Sequence, residues 1–111
     1  MSKRPSNLQN FGDSAVLAIS FDLDTVVLRK KHGDSYTKVY AEVKTALKKL
    51  GFEPVQESVY MSQGTKNIFD TVVKAVSQLA KMDDFRESVK DVQVFEVKNY
   101  SNLTETIKNY D

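Results

Sequence analysis

Asp22 and Asp24 stand two residues apart at the end of an apolar run, residues 15–23. On an extended strand such residues point the same way, so the pair would present both carboxylates together. Two adjacent carboxylates repel unless a cation or a shared proton offsets the charge. That pattern suits three kinds of chemistry: holding a hard divalent cation, taking a proton from a substrate, or attacking an electrophile. The structural alternative is plainer: one Asp caps the following turn while the other is solvated. A few residues on, Arg29, Lys30 and Lys31 form the densest basic cluster of the chain, able to hold a phosphate backbone or simply to face water. His32 is the only histidine, and a lone loop histidine reads as a bystander. Ser58 and Tyr60 alternate onto one face of a second extended segment, where Tyr60 could stack a base or pack in a dimer.

These residues need elements to hold them. In the run 15–23, Leu17, Ile19, Phe21 and Leu23 fall on one face and Val16, Ala18, Ser20, Asp22 and Asp24 on the other. The bulky face should pack beneath helices, and the small, then acidic, face should meet another sheet or subunit. Residues 25–34 read as a loop closed by Gly33, with Ser35 as a helix cap. Tyr36, Val39, Tyr40, Val43, Leu47 and Leu50 then recur at helical spacing up to Gly51. Tyr36 and Tyr40 lie on that stripe as core residues whose hydroxyls reach the rim. Residues 52–62 read as extended, with Pro54 at an edge or bend and no turn dipeptide to signal a hairpin. Thr65 can cap a second helix carrying Ile68, Phe69, Val72, Val76 and Leu79, and residues 89–97 make a last strand.

The order predicts an α+β, ferredoxin-like fold: an antiparallel sheet with two helices on one face. It divides the chain into an N-terminal arm (1–14), one domain (15–97) and a C-terminal arm or short helix (98–111). At 111 residues a single core is expected. The chain has no Cys, which excludes disulfides and thiolate metal sites and fits a cytoplasmic protein. No apolar run nears the ~20 residues of a membrane span, so no membrane partner is expected. A net charge of +1 argues against coating nucleic acid by bulk electrostatics.

Residues 18–26 also approach the Asp-x-Asp-x-Thr pattern of haloacid-dehalogenase-type phosphatases, in which the first Asp attacks phosphorus, with Val26 standing at the Thr position. The rest of that machinery, including a larger parallel sheet, has no counterpart in the chain. More of the sequence resembles the virulence-associated protein D (VapD) family. The blocks are Ala18-Ile19-Ser20-Phe21-Asp22-Leu23-Asp24-Thr25, Ser35-Tyr36 with Tyr40-Ala41, Leu50-Gly51-Phe52, Gln56-Glu57-Ser58-Val59-Tyr60, Leu79-Ala80-Lys81 and Ser88-Val89-Lys90-Asp91. The family is similar to the small CRISPR-associated endonucleases of ferredoxin-like fold. The resemblance implies an endoribonuclease acting as a homodimer on RNA, often the toxin partnered by a small antitoxin protein. It also implies that Asp22 is the main catalytic or metal-associated carboxylate, with Asp24 shared by the pattern. Glu57 departs from the Gly that many members carry there. Two routes stay open: a Mg²⁺-class ion on Asp22, or metal-independent base catalysis by an Asp. A non-catalytic dimeric module that binds nucleic acid or protein also remains open.

Overall fold

The apolar run forms β1, Leu17–Leu23, the second strand from one edge of a four-stranded sheet. In the computed structural model, which describes residues 16–62, 67–98 and 101–110, the sheet order is β2-β3-β1-β4. The other strands are β2 (Phe52–Gln56), β3 (Val59–Ser62) and β4 (Val89–Glu96), and every pairing is antiparallel. This is the ferredoxin-like α+β fold, and its antiparallel ladder removes the phosphatase alternative, which needs a parallel sheet. The expected N-terminal arm and the Thr65 cap lie outside the described residues.

The alternation along β1 decides which face is buried. Leu17, Ile19, Phe21 and Leu23 are all at most 5% exposed. Above them lie α2 (Lys38–Lys49), through Val39, Val43 and Leu47, and α3 (Ile68–Lys81), through Val72, Ala75 and Leu79. The opposite face follows from the register. Ala18 pairs with Met61 and Phe95, Ser20 with Val59 and Gln93, and Asp22 with Asp91. Neither α2 nor α3 covers this side; among the described residues Leu103, Thr104 and Ile107 of the C-terminal segment approach it at Val59, and Phe95 remains 45% exposed.

Residues 25–34 are not a loop. Thr25–His32 form α1, continued by a 3₁₀ turn over Gly33–Thr37, and α2 starts only at Lys38. Ser35 therefore sits inside the 3₁₀ turn, its hydroxyl donating to the His32 carbonyl, instead of capping α2. α1 ends where Gly33 adopts φ 60°, ψ −138°, a backbone region that residues with a Cβ avoid. A short helix, α4 (Asp83–Ser88), links α3 to β4. In the C-terminal arm a further short helix, α5 (Thr104–Lys108), leaves Leu103 and Ile107 exposed. β2 and β3 form a tight hairpin joined through Glu57 and Ser58. No helix among the described residues is long and apolar enough to cross a membrane.

Candidate active site

The last alternating position of β1 carries Asp22, exposed on the bare sheet face. Its partner across the β1–β4 ladder is Asp91, so two carboxylates stand side by side. Like charges directly opposed on a sheet are destabilising. Next to them the ladder slips: Asp22 pairs with Asp91, but Leu23 pairs with Val89, leaving Lys90 as a bulge. Its ammonium lies 3.6 Å from Asp22 Oδ2. On the other flank, the Phe21 N–H donates to the Ser58 carbonyl at 3.0 Å, which draws the β2–β3 turn beside the same strand end. Tyr40 reaches this end from α2. Burial pushes its hydroxyl pKa up, and the negative charges of Glu57 and Asp22 add to the shift.

Asp24 is not part of this cluster. The strand ends at Leu23, and Asp24 Oδ1 accepts the N–H groups of Val26 (3.0 Å) and Val27 (3.3 Å) as the cap of α1. The expectation that both carboxylates share the bare face is therefore corrected. The first turn of α1 supplies orphan N–H donors that draw the side chain away. Asp24→Ala should cost about 1 kcal/mol of stability by removing the cap, and Asp24→Ser should recover most of it. Thermal melts of the two variants check this, and equal melting temperatures for Ala and wild type would remove the assignment.

The basic cluster lies on α1, and its members have different surroundings. Arg29 stacks over the Tyr36 ring at 4.8 Å and donates to its hydroxyl at 3.2 Å, with guanidinium donors to spare. Lys30 is exposed and has no side-chain partner among the described residues. Lys31 is engaged with α4, its ammonium 2.8 Å from Asp84 and 3.0 Å from Glu87. His32 Nε2 also lies 3.0 Å from Asp84 Oδ2, without hydrogen-bond alignment. Lys31 first, and then His32, hold the Asp84 carboxyl below its ordinary 3.8. A carboxyl depressed in the folded state stabilises it above its unfolded value, and that stability is lost as pH falls through the folded value. Asp84→Asn should thus lower the melting temperature at pH 7 and flatten the acid side of the Tm–pH curve. An equal loss at pH 3 and pH 7 would rule this out.

Tyr60 is corrected as well. Ile19 pairs with Tyr60, so its ring lies on the helix side, 1% exposed and stacked on Phe21 at 6.2 Å between centroids. A ring packed in the core has no face for a base. Ser58 remains at the site, half-buried in the turn. Sequence reasoning missed Asp91 and Lys90 as site residues. The Lys90-Asp91 pair opening the last strand was a visible signal, but only the pairing register connects it to Asp22.

No group of three His, Cys, Asp or Glu side chains able to hold a metal ion occurs among the described residues. Asp22 and Asp91 nonetheless offer hard oxygen donors on one face. Mg²⁺ commonly takes only one or two carboxylates and completes its shell with water and substrate phosphate oxygens. The donor set fits an ion of that kind.

The profile of the family described as CRISPR associated protein Cas2 matches residues 15–104. The chain is 37% identical over 92 residues to Endoribonuclease VapD of Helicobacter pylori, covering 83% of this chain and 98% of that one. It is 42% identical over 91 residues to Endoribonuclease VapD of Dichelobacter nodosus, covering 82% and 96%. Against the Endoribonuclease VapD homolog of Neisseria gonorrhoeae it is 31% identical over 94 residues, covering 83% and 98%. With a ferredoxin-like sheet and relatives matched over nearly their whole length, the chain belongs to the VapD family, within the wider family of CRISPR associated protein Cas2.

Proposed function

We propose that this protein is an endoribonuclease in which Asp22 is the central catalytic carboxylate. The observation that carries this is Asp22 held exposed beside Asp91 on the open sheet face, in a chain whose relatives are named endoribonucleases. Asp22 is positioned rather than buried: β1 below it is locked in the core, and only its end meets solvent. An open face, not a closed cavity, suits a polymer such as RNA. Arg29 and Lys30 on α1, with Ser58 in the turn, are the proposed backbone contacts. Asp24 acts through the placement of α1, as its cap.

RNA cleavage needs a base for the nucleophile and stabilisation of the charge that builds on the phosphate. A Mg²⁺-class ion, when bound, supplies charge neutralisation and a more acidic water. Asp22 and Asp91 would hold it, and Ser58 would orient the substrate beside them. In the metal-independent route Asp22 takes the ribose 2′-OH proton directly, and nearby cations face the phosphate.

We also propose that the protein works as a homodimer through the bare face. Partly exposed Val59 and Met61 and exposed Phe95 flank buried Ala18 across that face, and these apolar side chains support the pairing. It would bring two Asp22 strand ends into one assembly. The proposed setting is a cytoplasmic toxin held in check by a small antitoxin protein, which rests on the family resemblance. The same apolar side chains favour a second reading, a dimeric module that binds RNA or protein without cutting. A digest of RNA by wild type and Asp22→Asn, with and without chelator, tests all of this. Cleavage lost in Asp22→Asn with RNA binding kept supports the nuclease. RNA bound but uncut by both proteins leaves the module. Cleavage abolished by chelator and restored by Mg²⁺ selects the metal route, and indifference to chelator selects the 2′-OH base.

A further inference from the structure

Two carboxylates in register are a poor place for a phosphodiester unless a cation meets it there. Of the cations on α1, Lys31 is held between Asp84 and Glu87, Arg29 is anchored on Tyr36 with donors to spare, and Lys30 is exposed. Lys90 is different, because the ladder itself places it. Between the Asp22↔Asp91 and Leu23↔Val89 pairs it is the one residue of β4 without a partner on β1. A bulge of this kind bends its strand and re-aims a side chain. Here it brings the ammonium to 3.6 Å from Asp22 Oδ2, with the Lys90 side chain 56% exposed. At that separation the contact is longer than a hydrogen bond. The ammonium carries three donors, which are free to take an acceptor arriving from solvent without leaving Asp22. An exposed lysine–carboxylate pair contributes little to stability, so a structural role alone accounts poorly for a bulge at this position.

We propose that Lys90 is a substrate-binding residue that holds the RNA phosphate against Asp22. This rests on the endoribonuclease reading and extends it to a residue of β4. The cation bridges carboxylate and phosphate, so the repulsion that Asp22 and Asp91 would exert on the backbone is offset where the chemistry takes place. A phosphate contact leaves a signature that a purely structural salt bridge does not. Each one adds about 0.7 to the slope of log affinity against log salt for single strands.

The test measures binding of a mixed-sequence single-stranded RNA oligonucleotide across a salt series. The proteins are Asp22→Asn, which keeps the substrate intact, and the same variant carrying Lys90→Ala, Lys90→Gln or Lys90→Arg. The neutral substitutions should flatten the slope by about 0.7 and the Arg variant should retain it. In the otherwise wild-type enzyme, Lys90→Ala and Lys90→Gln should raise KM, with Lys90→Arg recovering it. Lys74→Ala, on α3 of the helix layer, serves as the control and should keep the slope. Unchanged slope and KM in the neutral Lys90 variants, in a protein that still cleaves RNA, would overturn the proposal. So would an equal flattening in Lys74→Ala. A flattened slope in a protein that cuts no RNA would keep the phosphate contact and remove the nuclease reading instead.

Discussion

Asp22→Asn should lower RNA cleavage at least about 100-fold, the low end of what a positioned acid or base contributes, and leave the fold intact. The side chain is exposed and its one ion pair among the described residues, to Lys90 at 3.6 Å, is loose. A surface substitution of this kind is expected within about 0.5 kcal/mol of wild type. Removing one of two carboxylates opposed across the ladder relieves repulsion, so the melting temperature should hold or rise slightly. Asn keeps the shape and loses the charge and the basicity, which separates chemistry from packing. A fluorescent RNA cleavage assay beside a thermal melt makes the measurement. Full cleavage by a folded Asp22→Asn protein would falsify the assignment of Asp22.

Phe21→Ala should be the most damaging substitution near the site, costing about 3–5 kcal/mol. Phe21 is 5% exposed, stacked on Tyr60 and edge-on to Phe85 at 5.3 Å. Those contacts tie β1 to β3 and to α4 immediately before Asp22. Truncation leaves a cavity that three neighbouring elements would have to collapse to fill. For a domain whose total stability is about 5–15 kcal/mol, that loss brings the fold near its limit. Phe21→Leu preserves most of the volume and should cost far less. Urea unfolding of both variants gives the comparison, and a loss below about 1 kcal/mol for Phe21→Ala would show that this aromatic cluster does not anchor the strand.

Much of this arrangement was legible in the chain. The alternation of Leu17, Ile19, Phe21 and Leu23 with Ala18, Ser20 and Asp22 sorts β1 correctly into core and bare faces. The helical recurrence of Val39, Val43 and Leu47 does the same for α2. α1 was hidden because Leu28 is its only buried residue and Thr25, Val26 and Val27 favour helix weakly. Its two end signals are present in the sequence: Asp24 fits a turn cap as well as a catalytic partner, and the cap is what forms, while Gly33 closes α1 where a loop closure is expected. Six-residue α4 is too short to show a period. Tyr60 shows the harder limit. Period two assigns it to one face or the other, and only its pairing with Ile19 says that this face lies under the helices. Asp91 and Lys90 were illegible as site residues for a related reason, since register is a property of two strands and not of either alone.

The strand order has a consequence for the timing of synthesis. Of the described strands β1 is the first to be made, whereas β4, its neighbour on one side, is the last. Until β4 pairs, Asp22 has neither Asp91 nor Lys90 beside it, and β1 presents a raw edge of unmet backbone groups. The site is therefore assembled late, when nearly all of the sheet has been made.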